Sequence, residues 1–293
     1  MPSNSPLLVV GASGYLGSIT VREAVADGAE VAEWRSSSED QQAWLRRIRL
    51  GEFRAVINTA ATTYREPEHT FLGRYWESNV DLPARIAQAA QVSSTTLIQV
   101  GTRWSLGASG EGPNSLYGAT KQLGELLAAS FKPAKMDGDT ERGRVFIVRV
   151  RDIMGPGDRR ATVAHALREA SQTRTPLDMT PGDQLIDPID SRDVACALLS
   201  LASDARIAQA TAPYTEIGLY PISVRQFVDE WQEATGLQTQ VRWGAKPYRG
   251  TECFKMDRVH PMLSTFTPRA RHETLRATLD SIVQGPSLQR VQT

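Results

Sequence analysis

Residues 7–17, with the sequence LLVVGASGYLG, decide the fold of this chain. The four apolar residues at the start suit a buried strand of a parallel sheet, and the residues from Ser18 to Ala26 suit a helix. The glycine-rich turn between them has the spacing G-x-x-G-x-x-G. Gly11 permits a tight turn, Gly14 lets a pyrophosphate approach the helix N-terminus, and Gly17 lets helix and strand pack closely. A strand, a glycine turn and a helix in this order predict a dinucleotide-binding turn.

A second pattern is Tyr117-x-x-x-Lys121, which lies in the stretch Ser115–Lys121. Positions i and i+4 of a helix lie on one face, so this spacing places a phenol beside an ammonium. A free tyrosine has a pKa of roughly 10, and a neighbouring cation lowers that pKa because it favours the phenolate. The pair can then exchange a proton with a carbonyl or alcohol oxygen. Alone the pattern is weak, since exposed Tyr–Lys pairs are common on helices, but the glycine turn upstream gives it weight.

The two patterns together resemble the extended short-chain dehydrogenase/reductases, also described as the NAD-dependent epimerase/dehydratase family. The resemblance covers nearly the whole chain, and further segments match the family in the expected order: Val56–Ala61, Asn79, Leu97–Thr102, Val145–Val150, Gly155–Asp158 and Asp187–Ala195. It implies an α/β fold, a Rossmann-type doubly wound parallel sheet with a small C-terminal substrate-binding lobe.

The same resemblance predicts how the chain is divided. We expect residues 1–155 to form the dinucleotide-binding core, and residues 156–283 to form the remaining core strands and the substrate-binding lobe. The segments from Pro156 to Pro181 and from Tyr214 to Phe266 are expected on the substrate side. The polar stretch from Lys132 to Gly143 is expected to be a surface loop, and residues 284–293 a disordered tail.

The resemblance also implies roles for individual residues. Thr102, Tyr117 and Lys121 are expected to be catalytic. The expected cofactor-binding residues include both members of the Tyr117–Lys121 pair and, in addition, Gly11, Ser13, Gly14, Tyr15, Leu16, Gly17, Arg35, Ser36, Ala60, Ala61 and Asn79. The expected substrate-binding residues are Thr62, Arg103, Trp104, Asp152 and Arg249. No metal site is expected, because the histidines are scattered and no C-x-x-C pattern exists.

The end of the second predicted strand bears on the cofactor phosphate. An acidic residue at this position binds the ribose hydroxyls of NAD, whereas an arginine accommodates the 2′-phosphate of NADP. Arg35 followed by Ser36 favours NADP(H). Glu33 argues for NAD(H) if the strand ends two residues earlier. We therefore expect NADP(H) as the preferred cofactor and NAD(H) as possible.

The residues after Thr102 bear on the reaction. In the family's sugar dehydratases the catalytic threonine is followed by an Asp–Glu pair that supplies the acid and base for water elimination. Here Arg103 and Trp104 follow, and neither can serve as a general acid or base. The segments around Thr102, Tyr117 and Asp152 resemble 4-ketoreductases of the CDP-abequose/paratose synthase type, and Asn114–Glu125 also resembles dTDP-4-dehydrorhamnose reductase. The stretch Lys246–Gly250, which contains Arg249, resembles the late segment in which extended members place an arginine on the sugar-nucleotide pyrophosphate.

Three functions remain open. The leading one is NADPH-dependent reduction of a nucleotide-linked 4-keto-6-deoxy sugar. The second is a nucleotide-sugar 4-epimerase with tightly bound NAD, and the third is a non-catalytic NAD(P)-binding sensor. The complete set of Thr102, Tyr117 and Lys121 argues against a sensor.

Composition excludes several other classes. The chain has 293 residues, and its 33 basic and 33 acidic residues cancel, so charge gives no reason to expect nucleic acid or membrane partners. The two cysteines, Cys196 and Cys253, do not suggest a disulfide framework. No apolar run is long enough to span a bilayer, and a cytoplasmic location is expected. The family resemblance implies a homodimer formed through the segments Phe71–Gln91 and Tyr117–Phe131.

Overall fold

In the computed structural model the described residues are 5–35, 39–63, 67–93, 95–107, 110, 112–131, 144–158, 160, 162–204, 213–218, 221–256, 278–279 and 282–283. The expectations for Ser36, for the loop from Lys132 to Gly143, for residues 257–266 of the predicted substrate-side segment and for the tail 284–293 lie outside these residues. The chain divides into two compact units. Unit 1 comprises Met1–Val150 and Arg192–Ile217, and unit 2 comprises Arg151–Ser191 and Gly218–Thr293.

A parallel sheet of six strands forms the centre of unit 1. The strands are β1 (Leu7–Val10), β2 (Val31–Trp34), β3 (Ala55–Asn58), β4 (Thr96–Thr102), β5 (Val145–Val150) and β10 (Tyr214–Ile217), in the spatial order β10-β5-β4-β3-β1-β2. β1 and β3 are buried along their whole length, as strands are when both faces of a sheet are covered. This architecture confirms the predicted Rossmann-type parallel sheet.

The strand order sets where a ligand can bind. The chain moves outward from β1 to β2 and then returns to place β3 on the other side of β1. In open α/β sheets, ligands bind at such a reversal, beyond the carboxyl ends of the strands. Val10 at the end of β1 pairs with Asn58 at the end of β3, so the glycine turn and the residues after β3 start from the same level of the sheet.

The helices of unit 1 connect these strands. They are α1 (Tyr15–Ala26), α2 (Gln41–Arg49), α3 (Leu72–Tyr75), α4 (Leu82–Ser93), α5 (Leu116–Ser130) and α7 (Ser191–Ser203), the last of which begins at the end of a unit 2 segment. A π-helical turn, Trp76–Asp81, joins α3 to α4, and two 3-10 turns cover Glu68–Phe71 and Arg103–Leu106. No helix among the described residues is long and apolar enough to cross a membrane.

α5 lies close to the π-helical turn. The helix begins after Ser115, whose side chain accepts a hydrogen bond from the N–H of Gly118 and so caps the first turn. In its middle, a Cβ atom on Gly124 would stand only 1.8 Å from the carbonyl oxygen of Asn79. The close contact between the two segments therefore requires glycine at position 124.

Unit 2 has its own apolar core. It contains the helices α6 (Val163–Thr173) and α8 (Val224–Thr235) and the short strands β6 (Asp152–Met154), β7 (Leu177–Asp178), β8 (Leu185–Ile186), β9 (Pro188–Asp190), β11 (Ile222–Ser223) and β12 (Val241–Arg242). The strands form three pairs, β6 with β9, β7 with β12 and β8 with β11. Leu167 on α6 and Phe227 and Trp231 on α8 are fully buried in this core.

Two sequence expectations about element boundaries were wrong. α1 begins at Tyr15 rather than Ser18, because Gly14 is extended and serves as the N-cap directly after the turn. Tyr214 does not begin a substrate-side segment, because Tyr214–Ile217 is the edge strand of the central sheet and pairs with Ile147–Val150. The strand has the sequence YTEI, which lacks the continuous apolar run that marks a buried strand such as β1.

Candidate active site

The glycine turn brings the backbone of three segments together. Gly11 has a φ of +77°, and a Cβ atom there would stand 2.7 Å from the backbone of Ala60 after β3. A Cβ atom on Gly17 would stand 2.1 Å from the carbonyl oxygen of Gly11. Gly14, as the N-cap of α1, contributes no side chain to cover the helix N-terminus. These glycines leave space for a pyrophosphate at the N-terminus of α1, so the turn fits a dinucleotide.

The end of β2 lies beside the same turn. The N–H groups of Gly11 and Ala12 donate to the carbonyl oxygen of Trp34, and the Ser13 hydroxyl donates to that of Arg35. Arg35 directly follows β2, and its Nε donates to the Glu33 carboxylate at 2.9 Å. Hydrogen bonding to Glu33 and its negative charge raise the pKa of Arg35 above the usual range. The side chain is 64% exposed, so a ligand can reach the guanidinium.

The residues after β3 are held by Asn79. Its Oδ1 accepts from the N–H of Thr62 at 3.0 Å, while its Nδ2 donates to the Thr62 carbonyl oxygen and to the Thr120 hydroxyl on α5. Asn79 is 1% exposed and lies in the π-helical turn, a local distortion that is frequent at functional sites. Asn79 thus ties the segment that contains Ala60, Ala61 and Thr62 to α5.

The predicted catalytic residues lie on two elements, with Thr102 at the end of β4 and both Tyr117 and Lys121 on α5. Thr102 is the last residue of β4, and its hydroxyl oxygen accepts from the N–H of Trp104 at 3.3 Å. Lys121 is 3% exposed, and its Nζ donates to the carbonyl oxygen of Val100 on β4 at 2.8 Å. Burial lowers the pKa of Lys121 to about 8, and the charge of Glu125 opposes that effect. Lys121 therefore remains mostly an ammonium at neutral pH, one helical turn from Tyr117.

Aromatic rings hold Tyr117 from two sides. Trp104 meets the Tyr117 ring edge-on, with ring centroids 6.2 Å apart, and the buried Tyr75 meets it at a tilt over the same distance. Trp104 belongs to the 3-10 turn Arg103–Leu106. This turn approaches α5 so closely that a Cβ atom on Gly118 would stand 2.4 Å from the Trp104 carbonyl oxygen. The phenol is thereby fixed next to the residues that follow Thr102.

A comparison of the sequence with models of protein families shows which family the chain belongs to. The model described as "NAD dependent epimerase/dehydratase family" matches residues 7–212. The chain belongs to the NAD-dependent epimerase/dehydratase family.

Solved structures of similar fold agree with this assignment. MoeE5 in complex with UDP-glucose and NAD is 22% identical, with a TM-score of 0.74, over 94% of this chain and 98% of that one. A UDP-N-acetylglucosamine 4-epimerase from Methanobrevibacter ruminantium, in complex with UDP-N-acetylmuramic acid, is 15% identical, with a TM-score of 0.77, over 96% and 97%. TunA, an NAD-dependent NDP-hexosamine 5,6-dehydratase involved in tunicamycin biosynthesis, is 20% identical, with a TM-score of 0.72, over 94% and 97%. Identities this low show the shared fold alone. A search among curated proteins gave no match.

The remaining predicted residues of this family member fall into two groups. Tyr15 and Leu16 open α1 directly after the glycine turn, and Arg103 opens the 3-10 turn after Thr102. Asp152 and Arg249 belong to unit 2, where the Asp152 carboxylate accepts from the N–H of Asp187 at 2.8 Å and Arg249 is exposed. Their assignment to the substrate stays a prediction. Among the described residues, no group of three or more His, Cys, Asp or Glu could hold a metal ion.

Sequence reasoning missed two carboxylates that hold α5. Glu68 accepts from the N–H groups of Leu116 and Tyr117, at 3.1 and 2.7 Å, and so binds the first turn of the helix. Glu68 is 48 residues from Leu116 in the chain, so no local pattern signals this contact. Glu125 lies four residues after Lys121 and bonds to the end of β4. The i+4 rule that related Tyr117 to Lys121 would have placed Glu125 on the same helical face.

Proposed function

We propose that this member of the epimerase/dehydratase family uses NADPH to reduce the keto group of a nucleotide-linked 4-keto-6-deoxy sugar. The observation that carries the proposal is the pair Arg103–Trp104, which stands where the sugar dehydratases that the sequence resembles have Asp–Glu. Neither side chain is a general acid or base at ordinary pH, so water elimination lacks its usual groups. The position of Trp104 against Tyr117 supports this, because an indole fills the space beside the phenol. Thr102, Tyr117 and Lys121 suffice for reduction alone.

The proposed mechanism assigns one task to each residue. The glycine turn, Arg35 and Lys121 would hold the cofactor, which supplies a hydride to the keto carbon when bound. Tyr117 donates its proton to the keto oxygen, and the Lys121 ammonium lowers the pKa of that phenol so that the proton is readily given up. The Thr102 hydroxyl, whose oxygen is held by the Trp104 N–H, donates a hydrogen bond that polarises the carbonyl.

The preference for NADPH rests on Arg35. Arg35 directly follows β2, and its backbone carbonyl accepts from the Ser13 hydroxyl of the glycine turn. A planar cation on this residue suits two oxygens of a 2′-phosphate. The bond to Glu33 is exposed, and exposed ion pairs contribute little, so a phosphate can replace the carboxylate.

An epimerase with tightly bound NAD is the second candidate. Glu33 is its support, because an acidic residue near the end of this strand suits the ribose hydroxyls of NAD. Glu33 is the next-to-last residue of β2, which ends at Trp34. The two candidates differ in cofactor exchange, since a reductase must release its oxidised cofactor after every turnover. The purified protein should therefore contain little bound NAD if it is a reductase, and nearly one equivalent if it is an epimerase.

A homodimer is proposed from exposed apolar residues on the two segments that the resemblance implicates. Trp76 and Leu126 are 53% and 55% exposed, and Leu72 and Leu127 are exposed as well. Large exposed apolar side chains that cluster on neighbouring helices are typical of an interface. Light scattering on the wild type and a Leu126→Glu variant tests this proposal, with a monomer expected for the variant only.

The decisive experiment is an incubation with NADPH and a panel of nucleotide-linked 4-keto-6-deoxy sugars, with oxidation of NADPH followed by absorbance. Consumption of NADPH with formation of the corresponding alcohol is expected for at least one substrate. A second incubation uses CDP-glucose, dTDP-glucose and GDP-mannose with added NAD, followed by mass spectrometry. Loss of water from any of them would show that elimination proceeds without the Asp–Glu pair, and the reductase proposal would then fail.

A further inference from the structure

Glu125 is a buried carboxylate that the mechanism above does not use. It lies on α5 one turn after Lys121, and it is 1% exposed. Burying a charge is costly unless the charge is paired and hydrogen-bonded, so its position needs a compensating network.

That network joins α5 to three other elements of unit 1, namely β4, the 3-10 turn after it and β5. Oε1 accepts from the N–H of Thr102 at 3.2 Å and from the Ser105 hydroxyl at 2.6 Å, while Oε2 accepts from Nε of Arg149 on β5 at 2.8 Å. The backbone of β4 leaves room for the carboxylate at Gly101, where a Cβ atom would stand 2.5 Å from Oε1. Glu125, which is part of α5, therefore links this helix to the end of the strand that carries Thr102.

We propose that Glu125 is a positioning residue for catalysis, which fixes Thr102 relative to α5 and keeps the buried ammonium of Lys121 charged. The first role follows from the bond to the Thr102 N–H, because the backbone of that residue directs its hydroxyl. The second role follows from the shared helical face, where the carboxylate is the nearest negative charge to Lys121 that α5 supplies. The inference rests on the proposed roles of Thr102 and Lys121 but not on the identity of the substrate.

The other charged or titratable groups that face Glu125 come from two strands. Arg149 on β5 pairs with it directly, and the Arg149 guanidinium also lies 5.3 Å from the centre of the Tyr214 ring on β10. Tyr214 is neutral at working pH, because burial raises its pKa. Burial alone pushes the pKa of Lys121 down, and the charge of Glu125 limits that fall to about 8. Removal of the charge should therefore leave a larger fraction of Lys121 neutral at physiological pH.

A nuclear magnetic resonance titration tests the second role without any substrate. The chain has only five lysines, Lys121, Lys132, Lys135, Lys246 and Lys255, so protein labelled at the lysine side chains gives few signals, and Lys121→Met identifies the one of interest. In Glu125→Gln, which preserves shape, we expect the midpoint of Lys121 to fall by about one pH unit relative to the wild type. Ser105→Ala is the matched control, because it removes a bond to the carboxylate but no charge, and the midpoint should stay within a few tenths of a unit. An unchanged midpoint in folded Glu125→Gln would overturn the second role.

Kinetics test the first role. Glu125→Asp keeps the charge but withdraws the carboxylate from the Thr102 N–H, so kcat should fall about 10-fold while the Lys121 titration stays near that of the wild type. Wild-type kcat in this variant would overturn the first role. In Glu125→Gln, the loss of kcat at high pH should begin about one unit earlier than in the wild type. If Glu125→Gln does not fold, Glu125→Asp still decides the first role. Absence of turnover by the wild type would count against the proposed function only, since the titration needs no turnover.

Discussion

Two cations in unit 1 each lie near a carboxylate, but their surroundings differ. Lys121 and Glu125 are almost completely buried between β4 and α5, whereas the side chains of Arg35 and Glu33 are 64% and 30% exposed beside the glycine turn. In the buried region, desolvation changes the pKa of the cation and thus its chemistry. In the exposed region, water screens the pair and its contribution to stability is small. The first arrangement suits proton transfer, and the second suits exchange of one anion for another.

The largest effect is expected in the buried region. Tyr117→Phe removes the proposed proton donor while the ring keeps its contacts with Trp104 and Tyr75. We expect kcat to fall by at least about 10²-fold, as is typical when a general acid is lost, with NADPH affinity largely retained. Steady-state kinetics and fluorescence titration of NADPH measure the two quantities. Near-normal turnover would remove Tyr117 from the mechanism.

The exposed region should show a large effect only on the cofactor. Arg35→Ala should weaken NADPH binding roughly 10- to 150-fold and leave NADH binding nearly unchanged, because only NADPH carries a phosphate for the guanidinium. Arg22→Ala removes an arginine that is also exposed and paired with a glutamate, so it serves as the control and should change neither affinity. Equal affinity of the wild type for the two cofactors would contradict the assignment of Arg35.

Stability should respond to the buried cation in an unusual direction. Because the folded pKa of Lys121 is about 8 and the ordinary value is 10.5, the unfolded chain binds more protons between these pH values. The contribution of this group to the free energy of unfolding therefore rises as the pH increases through that window. Below about pH 8, Lys121 is a buried ammonium in the folded protein, and its desolvation lowers the free energy of unfolding.

Lys121→Met should accordingly be inactive but more stable than the wild type at neutral pH, by about 1–2 kcal/mol after loss of the bond to Val100. The advantage should disappear as the pH approaches 10.5. Lys246→Met is the control, because Lys246 is exposed, and it should leave stability nearly unchanged. Urea unfolding at several pH values measures the difference in the free energy of unfolding between variant and wild type. If the variant gained stability over the wild type as the pH rises, instead of losing its advantage, the linkage would be contradicted.

The smallest effect is expected at Glu33. Glu33→Gln removes the carboxylate that competes with a phosphate for Arg35, so NADPH affinity should increase about two- to five-fold at low salt and less at high salt. Glu23→Gln, which alters the exposed pair with Arg22, should have no such effect. Tighter binding of NADH rather than NADPH in Glu33→Gln would show that the two regions do not differ as described.

Much of the fold was predictable because its signals are local. The apolar run of β1, the glycines after it and the i+4 spacing of Tyr117 and Lys121 are each read within a few residues, and the strands around them formed where expected. Edge strand β10 was misassigned because its sequence, YTEI, lacks the continuous apolar run of β1. The predicted start of α1 was wrong because a glycine can adopt many backbone conformations, so the sequence does not show that Gly14 is extended and caps the helix.

The site was less predictable where it depends on contacts between distant segments. Glu68 binds the first turn of α5 across 48 positions, and no pattern near either residue announces that bond. In the sequence alone, Glu33 and Arg35 supported opposite cofactors. The structure adds that the two side chains bond to each other, with Nε of Arg35 donating to the Glu33 carboxylate. The role of Trp104 was expected only for the substrate pocket, yet its ring also supports Tyr117.

The contact at Gly124 has a consequence for protein engineering. Replacement of a helical glycine by alanine is a common route to thermostability, because glycine in a helix costs about 1 kcal/mol. At Gly124 the added methyl would meet the Asn79 carbonyl oxygen at 1.8 Å and force α5 away from the π-helical turn, which also holds Thr62. Gly73 on α3, by contrast, has nothing within 4 Å of an added Cβ atom. A mutational library for this enzyme would therefore gain from alanine at position 73 and should keep position 124 unchanged.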